Sequence, residues 1–405
     1  MVDGHDGILW LLYAMAFVSH GECWRTVAAR TYTWFMTSHR LRAGAVLLTA
    51  ALGLTTAIPA TAAEVGTGSD PGWFWNPPHC DTVYGDGSVT ITSTDGAELA
   101  PTKGQVTPVT YPKVAALDAP NTLISIGKQS IQRSSDAGCS WQQIDKAPDD
   151  LSTYDVAAGA GESAYVYSVN DQPIHRVQGS EVSTVAGPVN GGGVAALSAD
   201  RSQPGLIRTV GGDGQVFDSA DNGRTWQKSG VLPAADLFIY NAAIDPSNRD
   251  HIVVGTMSVG AFVTFDGGRH WTASLGLTRT NGFTVVISPA NPSKVWVEGY
   301  DLNGQGNSAR HIWQSTDGGL KFDSVLDGTQ ATLINGNKMW PSPVDPDLLY
   351  FSYGTSFGGY GSDLYRFRPS TGELTWQHNR HDGIPSVAFN RADPTVLYLG
   401  LAEER

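Results

Sequence analysis

An eight-residue phrase returns four times along the chain. It reads Ser134-Ser135-Asp136-Ala137-Gly138-Cys139-Ser140-Trp141, then Ser219-Ala220-Asp221-Asn222-Gly223-Arg224-Thr225-Trp226, then Thr264-Phe265-Asp266-Gly267-Gly268-Arg269-His270-Trp271. A fourth copy, Ser315-Thr316-Asp317-Gly318-Gly319-Leu320-Lys321-Phe322, ends in phenylalanine. An aspartate side chain bonds nearby backbone N–H groups, and glycine tolerates positive φ, so the phrase describes a tight turn. The hydroxyl residue before the turn and the aromatic after it fall on flanking strands, where the ring packs between sheets. A hairpin repeated in this way confines the chain to a β array before composition is consulted.

The phrase resembles the Asp box of the bacterial neuraminidase-type (BNR) repeat, which implies propeller blades and says little about activity. The aspartates fall at 136, 221, 266 and 317, and the first interval is near twice the second, so one degenerate repeat is missing there. Its turn is expected near Gln178-Gly179. Two further decayed boxes are read at Asp95-Gly96 and near Thr371-Gly372. A second motif, an apolar strand, a Pro/Asp/Asn turn and another apolar strand, precedes the boxes. Examples are Ala242–Pro246 with Ile252–Gly255, and Val285–Pro289 with Val295–Val297. Val344–Pro346 with Leu348–Phe351 is read in the same way. Together the motifs give four strands per repeat and a seven-bladed all-β propeller. The last copy, Val387–Asn390 with Val396–Gly400, has no box after it, and the first box-like hairpin has no inner strands before it. The two halves are expected to combine into one closing blade.

Composition supports this class. Charged residues are only 16% of the chain against 47 glycines, a balance that suits short strands and turns. The 26 basic residues are outnumbered by 39 acidic ones and form no run, which argues against a nucleic-acid partner.

Residues 36–62 read as a secretory signal peptide: His39, Arg40 and Arg42, an apolar core over 43–57, and the Ala60-Thr61-Ala62 cleavage pattern. Residues 1–35 carry no targeting logic and read as an upstream extension outside the fold, with Met36 a natural start. The propeller is assigned to residues 63–405, secreted and monomeric, with no membrane anchor after cleavage. That segment keeps two cysteines, Cys80 and Cys139, which an oxidising setting would join; two free thiols are the alternative.

The chain shows little catalytic chemistry. The box aspartates lie one per blade at hairpin turns, too far apart to cooperate, so Asp136, Asp221, Asp266 and Asp317 are read as structural. Sialidases need an arginine cluster, a Tyr/Glu pair and an early Arg-Ile-Pro; no Arg-Ile-Pro occurs. Asp-box xyloglucanases place two aspartates between two propellers, and this chain has room for one. There is no His-Glu-x-x-His, Gly-x-Ser-x-Gly or phosphate loop. His378 and His381 are at most weak chelators. No catalytic residue, metal or cofactor is assigned.

Surface candidates are aromatic. Aligning inner strands on Ile244, Ile287 and Val344 places Tyr240, Phe283 and Trp340 four positions earlier, aimed at the channel mouth as partner contacts; capping of the core is the competing reading. Two long loops add Tyr300 and Tyr360. Trp73-Phe74-Trp75 is a further cluster, expected to dock on the closing blade. Loop glutamines Gln105, Gln172, Gln203, Gln305, Gln330 and Gln377 suit a transglutaminase acyl donor, or are merely polar.

Size, signal, single propeller and Asp boxes together resemble the streptomycete family of dispase autolysis-inducing proteins. The resemblance implies a secreted, non-enzymatic propeller that makes a neutral metalloprotease digest itself and serves transglutaminase as a glutamine donor. It transfers no contact residue. A secreted sialidase-like, carbohydrate-active hydrolase and a cell-surface scaffold are the rival readings.

Overall fold

The computed structural model describes residues 80–403, apart from 81, 85–87, 94–97, 101–111, 128–129, 147–153, 169–172, 189–192, 234–236 and 355–360. The upstream extension, the signal segment, Trp73 to Trp75, Asp95, Gln105, Gln172 and Tyr360 therefore lie outside the described residues.

Strands pair into seven four-stranded antiparallel sheets, the blades of a propeller. Blades 1 to 6 run in chain order over 113–146, 154–185, 194–231, 239–273, 280–327 and 339–379. The closing blade joins Gly383–Phe389 and Val396–Ala402 to Val89–Ser93 and Glu98–Ala100. The composite closure follows the sequence expectation: Val89 pairs with Gly400, Ile91 with Tyr398 and Ser93 with Val396. The degenerate repeats are present as plain hairpins, one turning at Gly179 and one at Gly372, both with positive φ.

Burial follows position within a blade. Second strands such as Leu123–Gly127, Ile207–Gly211 and Ile252–Thr256 are buried at every residue. Each is covered on both faces by neighbouring blades, so it reads as an unbroken apolar run. Outer strands such as Gln142–Lys146 are exposed except at Ile144. The core is consequently split into wedges, one at each seam between blades.

The box contributes to four of those seams. Its hydroxyl donates to the aspartate Oδ1 at 2.6 to 2.9 Å in all four copies. The same hydroxyl accepts from the glycine N–H at 2.8 to 3.1 Å. Oδ1 also accepts the backbone N–H of Ser140, Thr225, His270 or Lys321 at 2.8 to 3.0 Å. Two consecutive left-handed residues are needed to close this ring of bonds. Hence Gly138, Gly223, Gly268 and Gly319 follow Ala137, Asn222, Gly267 and Gly318, all at positive φ. The turn then delivers its aromatic backwards, into the wedge shared with the preceding blade. Trp141 joins the closing-blade seam, Trp226 the seam of blades 2 and 3, Trp271 that of blades 3 and 4, and Phe322 that of blades 4 and 5. Backbone bonds reinforce the docking: Tyr84 N to Cys139 O at 2.7 Å, Val231 N to Gly268 O at 3.1 Å and Leu275 N to Leu320 O at 2.8 Å.

Cys80 and Cys139 form a disulfide, which ties the start of the described chain to the first box. The chain-entropy model assigns such a loop, of 59 residues, about 4 kcal/mol. The double variant Cys80→Ser/Cys139→Ser should lose about this much in denaturant unfolding, and the reduced wild-type protein should unfold alongside it.

Acid should weaken the boxes. The Thr225 backbone N–H, ahead of the Thr225 hydroxyl, holds the Asp221 carboxyl down to about 2. Asp266 is likewise depressed, first by the His270 N–H. A depressed carboxyl stabilises the fold above its unfolded pKa, near 3.9, and the contribution disappears as pH falls through the folded value. Denaturation midpoints should therefore drop between about pH 4 and 2. Asp221→Asn/Asp266→Asn should be weaker at neutral pH and less sensitive to acid.

Candidate partner-binding face

Antiparallel blades place the box turns and the turns between first and second strands at one end of the ring. Loops between second and third strands, and the links between blades, share the other end. The inner strands of blades 4 and 5 each carry a β-bulge near that second end. Pairing steps from Ile239–Thr256 to Asn241–Gly255, leaving Tyr240 as the extra residue. It steps from Gly282–Gly299 to Thr284–Glu298, leaving Phe283. A bulge re-aims its unpaired side chain, and here both are aromatic. Their rings meet edge to face, 4.8 Å apart at 63°. Phe238 adds a second such contact, 5.0 Å from Tyr240. The approach requires Gly255, since a Cβ there would lie 2.4 Å from the Gly282 carbonyl oxygen.

Tyr240 and Phe283 are half-buried, so they partly cap the core while leaving an edge to solvent. Burial raises the Tyr240 phenol pKa. Around them Phe238 is 46% exposed, Val259 42% and Met257 37%. These three were not singled out from the sequence because they sit in connections, where strand alignment gives no register. The Met257 N–H donates to Phe238 O at 2.9 Å, so the two loops are bound together. Tyr300 is the penultimate residue of the second strand of blade 5, opposite Asn281, with the Arg310 guanidinium 5.8 Å from its ring centre.

Trp340 is not part of this group. Its ring packs in the wedge between blade 6 and the closing blade, with Leu348, Tyr350 and Val387. The sequence alignment slipped there. Ser342 N donates to Leu348 O just as Asp245 N donates to His251 O and Ser288 N to Lys294 O. Pro341, not Val344, therefore matches Ile244 and Ile287, and Asn337 occupies the position assigned to Trp340. Val344 lies inside the turn, which is as long as those of blades 4 and 5, and is 64% exposed. Asn337 is buried, donating to Ser352 O at 2.8 Å and accepting from Ile334 N at 2.7 Å.

Beneath the link to blade 6 lies Glu298, fully buried. One carboxyl oxygen accepts the Gly336 N–H at 3.0 Å and the other has no hydrogen-bond partner. Burial pushes its pKa well above the usual carboxylate range, against the pull of Gly336, Arg310 and Lys338. Lys338 contacts solvent but is walled by protein; the charge of Lys113, and then burial, bring it down to about 8.

At the box end, Asp118 receives Arg201 at 2.7 Å and Arg391 at 3.0 Å, beside a cavity of about 150 Å³ between blade 1 and the closing blade. The arginines share one carboxylate and brace three blades. Buried His251 braces blades 4 and 5: its ring nitrogens lie 3.2 Å from Asp245 and 2.8 Å from Gly318 O, and its ring stacks on Phe265. His378 and His381 have separate carboxylate partners, Asp363 and Glu403. Among the described residues no group of His, Cys, Asp or Glu is arranged to hold a metal. No helix among them is long and apolar enough to cross a membrane. Gln203, Gln305, Gln330 and Gln377 are exposed.

No family model matches the chain. It is 40% identical over 364 residues to the dispase autolysis-inducing protein of Streptomyces mobaraensis, an alignment covering 86% of this chain and 96% of that protein. A xyloglucanase of Acetivibrio thermocellus is 23% identical over 53% of this chain, which is 28% of that enzyme. Among solved structures, YCF48 bound to a D1 peptide superposes with a TM-score of 0.51 at 13% identity, covering 81% of this chain and 100% of that one. That likeness is one of fold.

The raised Glu298 pKa makes a prediction. A raised carboxyl favours the fold fully below its unfolded pKa, near 4.3, and that contribution is lost as pH climbs through the folded value. Unfolding free energies of wild type and Glu298→Gln should run parallel below about pH 4 and diverge in the variant's favour towards pH 9.

Proposed function

The chain belongs to the family of the dispase autolysis-inducing protein, and on that premise we propose that it is a secreted, non-enzymatic binding protein that raises the self-cleavage of a neutral metalloprotease. The observation that carries this reading is identity of 40% sustained over nearly the whole of that relative. The Phe238–Tyr240–Phe283 face is the proposed contact surface, because it gathers partly exposed aromatics at one end of a rigid ring. The exposed glutamines Gln203, Gln305, Gln330 and Gln377, with Gln305 in its loop foremost, are proposed transglutaminase donor sites.

Hydrolysis of glycans is the competing reading, prompted by the xyloglucanase match. It is disfavoured because that match spans little more than a quarter of the enzyme.

Residues 63–405 mixed with a thermolysin-like neutral protease should shorten the half-life of intact protease, with autolytic fragments in mass spectra and the propeller uncleaved. An inert acidic protein serves as control. An unchanged half-life across a wide concentration range would remove this function for that protease. Transglutaminase with a dansylated primary amine should label Gln305 first by peptide mapping.

A further inference from the structure

We propose that the aromatic face of blades 4 and 5 takes an extended peptide segment whose apolar side chains are flanked by carboxylates. The inference rests on reading this face as the partner surface and adds the chemistry of what it holds.

The apolar track runs from Phe238, Met257 and Val259 on blade 4 to the Tyr240–Phe283 pair across blades 4 and 5. Exposed apolar groups gathered in this way mark a contact surface. The central rings meet at 63° and so present edges and a cleft. A sugar ring is bound by an open, flat aromatic face, which this arrangement lacks. Side chains of an extended strand, alternating at about 3.3 Å per residue, fit a cleft-and-ridge track.

The charge around the track is opposite to that of the molecule. The whole chain carries −13, yet Arg279 and Lys338, both exposed at this end, have no ion-pair partner among the described residues. Arg310 spends one nitrogen on Asn307 at 3.1 Å and lays its guanidinium by Tyr300. These cations are close to the track. Leu302 N donates to Arg279 O at 2.9 Å, while Arg310 and Lys338 both act on Glu298, the partner of Thr284 next to Phe283. Asp155 and Glu298 both attract Lys338, but Lys113 and burial outweigh them. Asp301 is engaged by Asn303, at 2.8 and 3.1 Å, and Asp327 by Thr329. Glu298 is fully buried, and that burial disfavours its charged form. An apolar track with a cationic rim selects a segment with apolar residues and carboxylates.

Such a face also suggests how a binder with no chemistry of its own accelerates self-cleavage. A segment becomes extended and accessible only when a folded protease opens locally. A propeller that binds the open form raises its population, and other protease molecules then cut it.

The test uses fluorescence anisotropy with fluorescein-labelled twelve-residue peptides titrated with residues 63–405. One peptide alternates Asp and Glu with Leu and Phe; a second carries Lys at every acidic position. The acidic peptide should bind and the lysine peptide should not. Arg279→Glu/Lys338→Glu and, separately, the exposed-site variant Phe238→Ser should each weaken binding about 10- to 30-fold while melting as wild type does. Equal binding of both peptides, wild-type affinity in both variants, or displacement of the peptide by a xyloglucan oligosaccharide would overturn the proposal. The protease half-life assay is run on the same variants. If Arg279→Glu/Lys338→Glu loses the peptide but still shortens the half-life, this inference fails and the family reading stands. If the peptide binds as described and no neutral protease is affected, the proposed function fails and the peptide-binding face remains.

Discussion

The pairing of Val89–Ser93 with Val396–Ala402 is the contact on which the ring depends. Each blade buries its apolar surface only against two neighbours, and a fully buried Val, Leu or Ile side chain is worth roughly 1.5 to 3 kcal/mol. An unclosed ring would leave two such surfaces in water. Closure removes both at once, because the C-terminal strands acquire outer strands from the other end of the chain. Several bonds concentrate at this seam. Ser386 Oγ donates to Pro112 O at 2.9 Å, Arg391 reaches Asp118, and the Cys80–Cys139 disulfide holds the incoming segment against blade 1. Covalent and polar ties sit where the entropy of bringing distant chain ends together is greatest.

The remaining six seams are local, and the box serves three of them. One aspartate oxygen takes bonds from a hydroxyl and from backbone N–H groups, so the turn is rigid without needing a neighbour. The rigid turn then fixes the direction of the aromatic, which reaches into the seam already formed. Copies vary only where the geometry allows. The second aspartate oxygen accepts Ser140, Thr225 or His270, whereas Lys321 turns to Asp323 instead. Hairpins without a box, at Gly179 and Gly372, keep the strand order but not the lock.

The candidate face inherits its rigidity from those wedges. Its two bulges lie on inner strands of the blades whose shared seam buries Val253, Val285, Trp313 and Phe322. A cluster held in this way can be half-exposed without collapsing, which keeps the cost of ordering low when a partner arrives.

The sequence by itself determined the blade count, the composite closure and the structural role of Asp136, Asp221, Asp266 and Asp317. Those features depend on short-range chemistry: a turn motif, alternation, and runs of apolar residues that remain readable even in decayed copies. It also offered Cys80 and Cys139 as a pair, and Tyr240 and Phe283 as neighbours at one end. Tertiary structure decided the rest. Trp340 went into a wedge because blade 6 carries its Asp345-Pro346 pair three positions further into a turn of equal length than blade 4 carries Asp245-Pro246, a difference that apolar patterning does not register. Phe238, Met257 and Val259 joined the aromatic pair across loops whose residues follow no period. The Glu298 pKa is raised by burial under a link 38 residues away in sequence, since burial is set by what folds over a carboxyl and not by the strand that carries it.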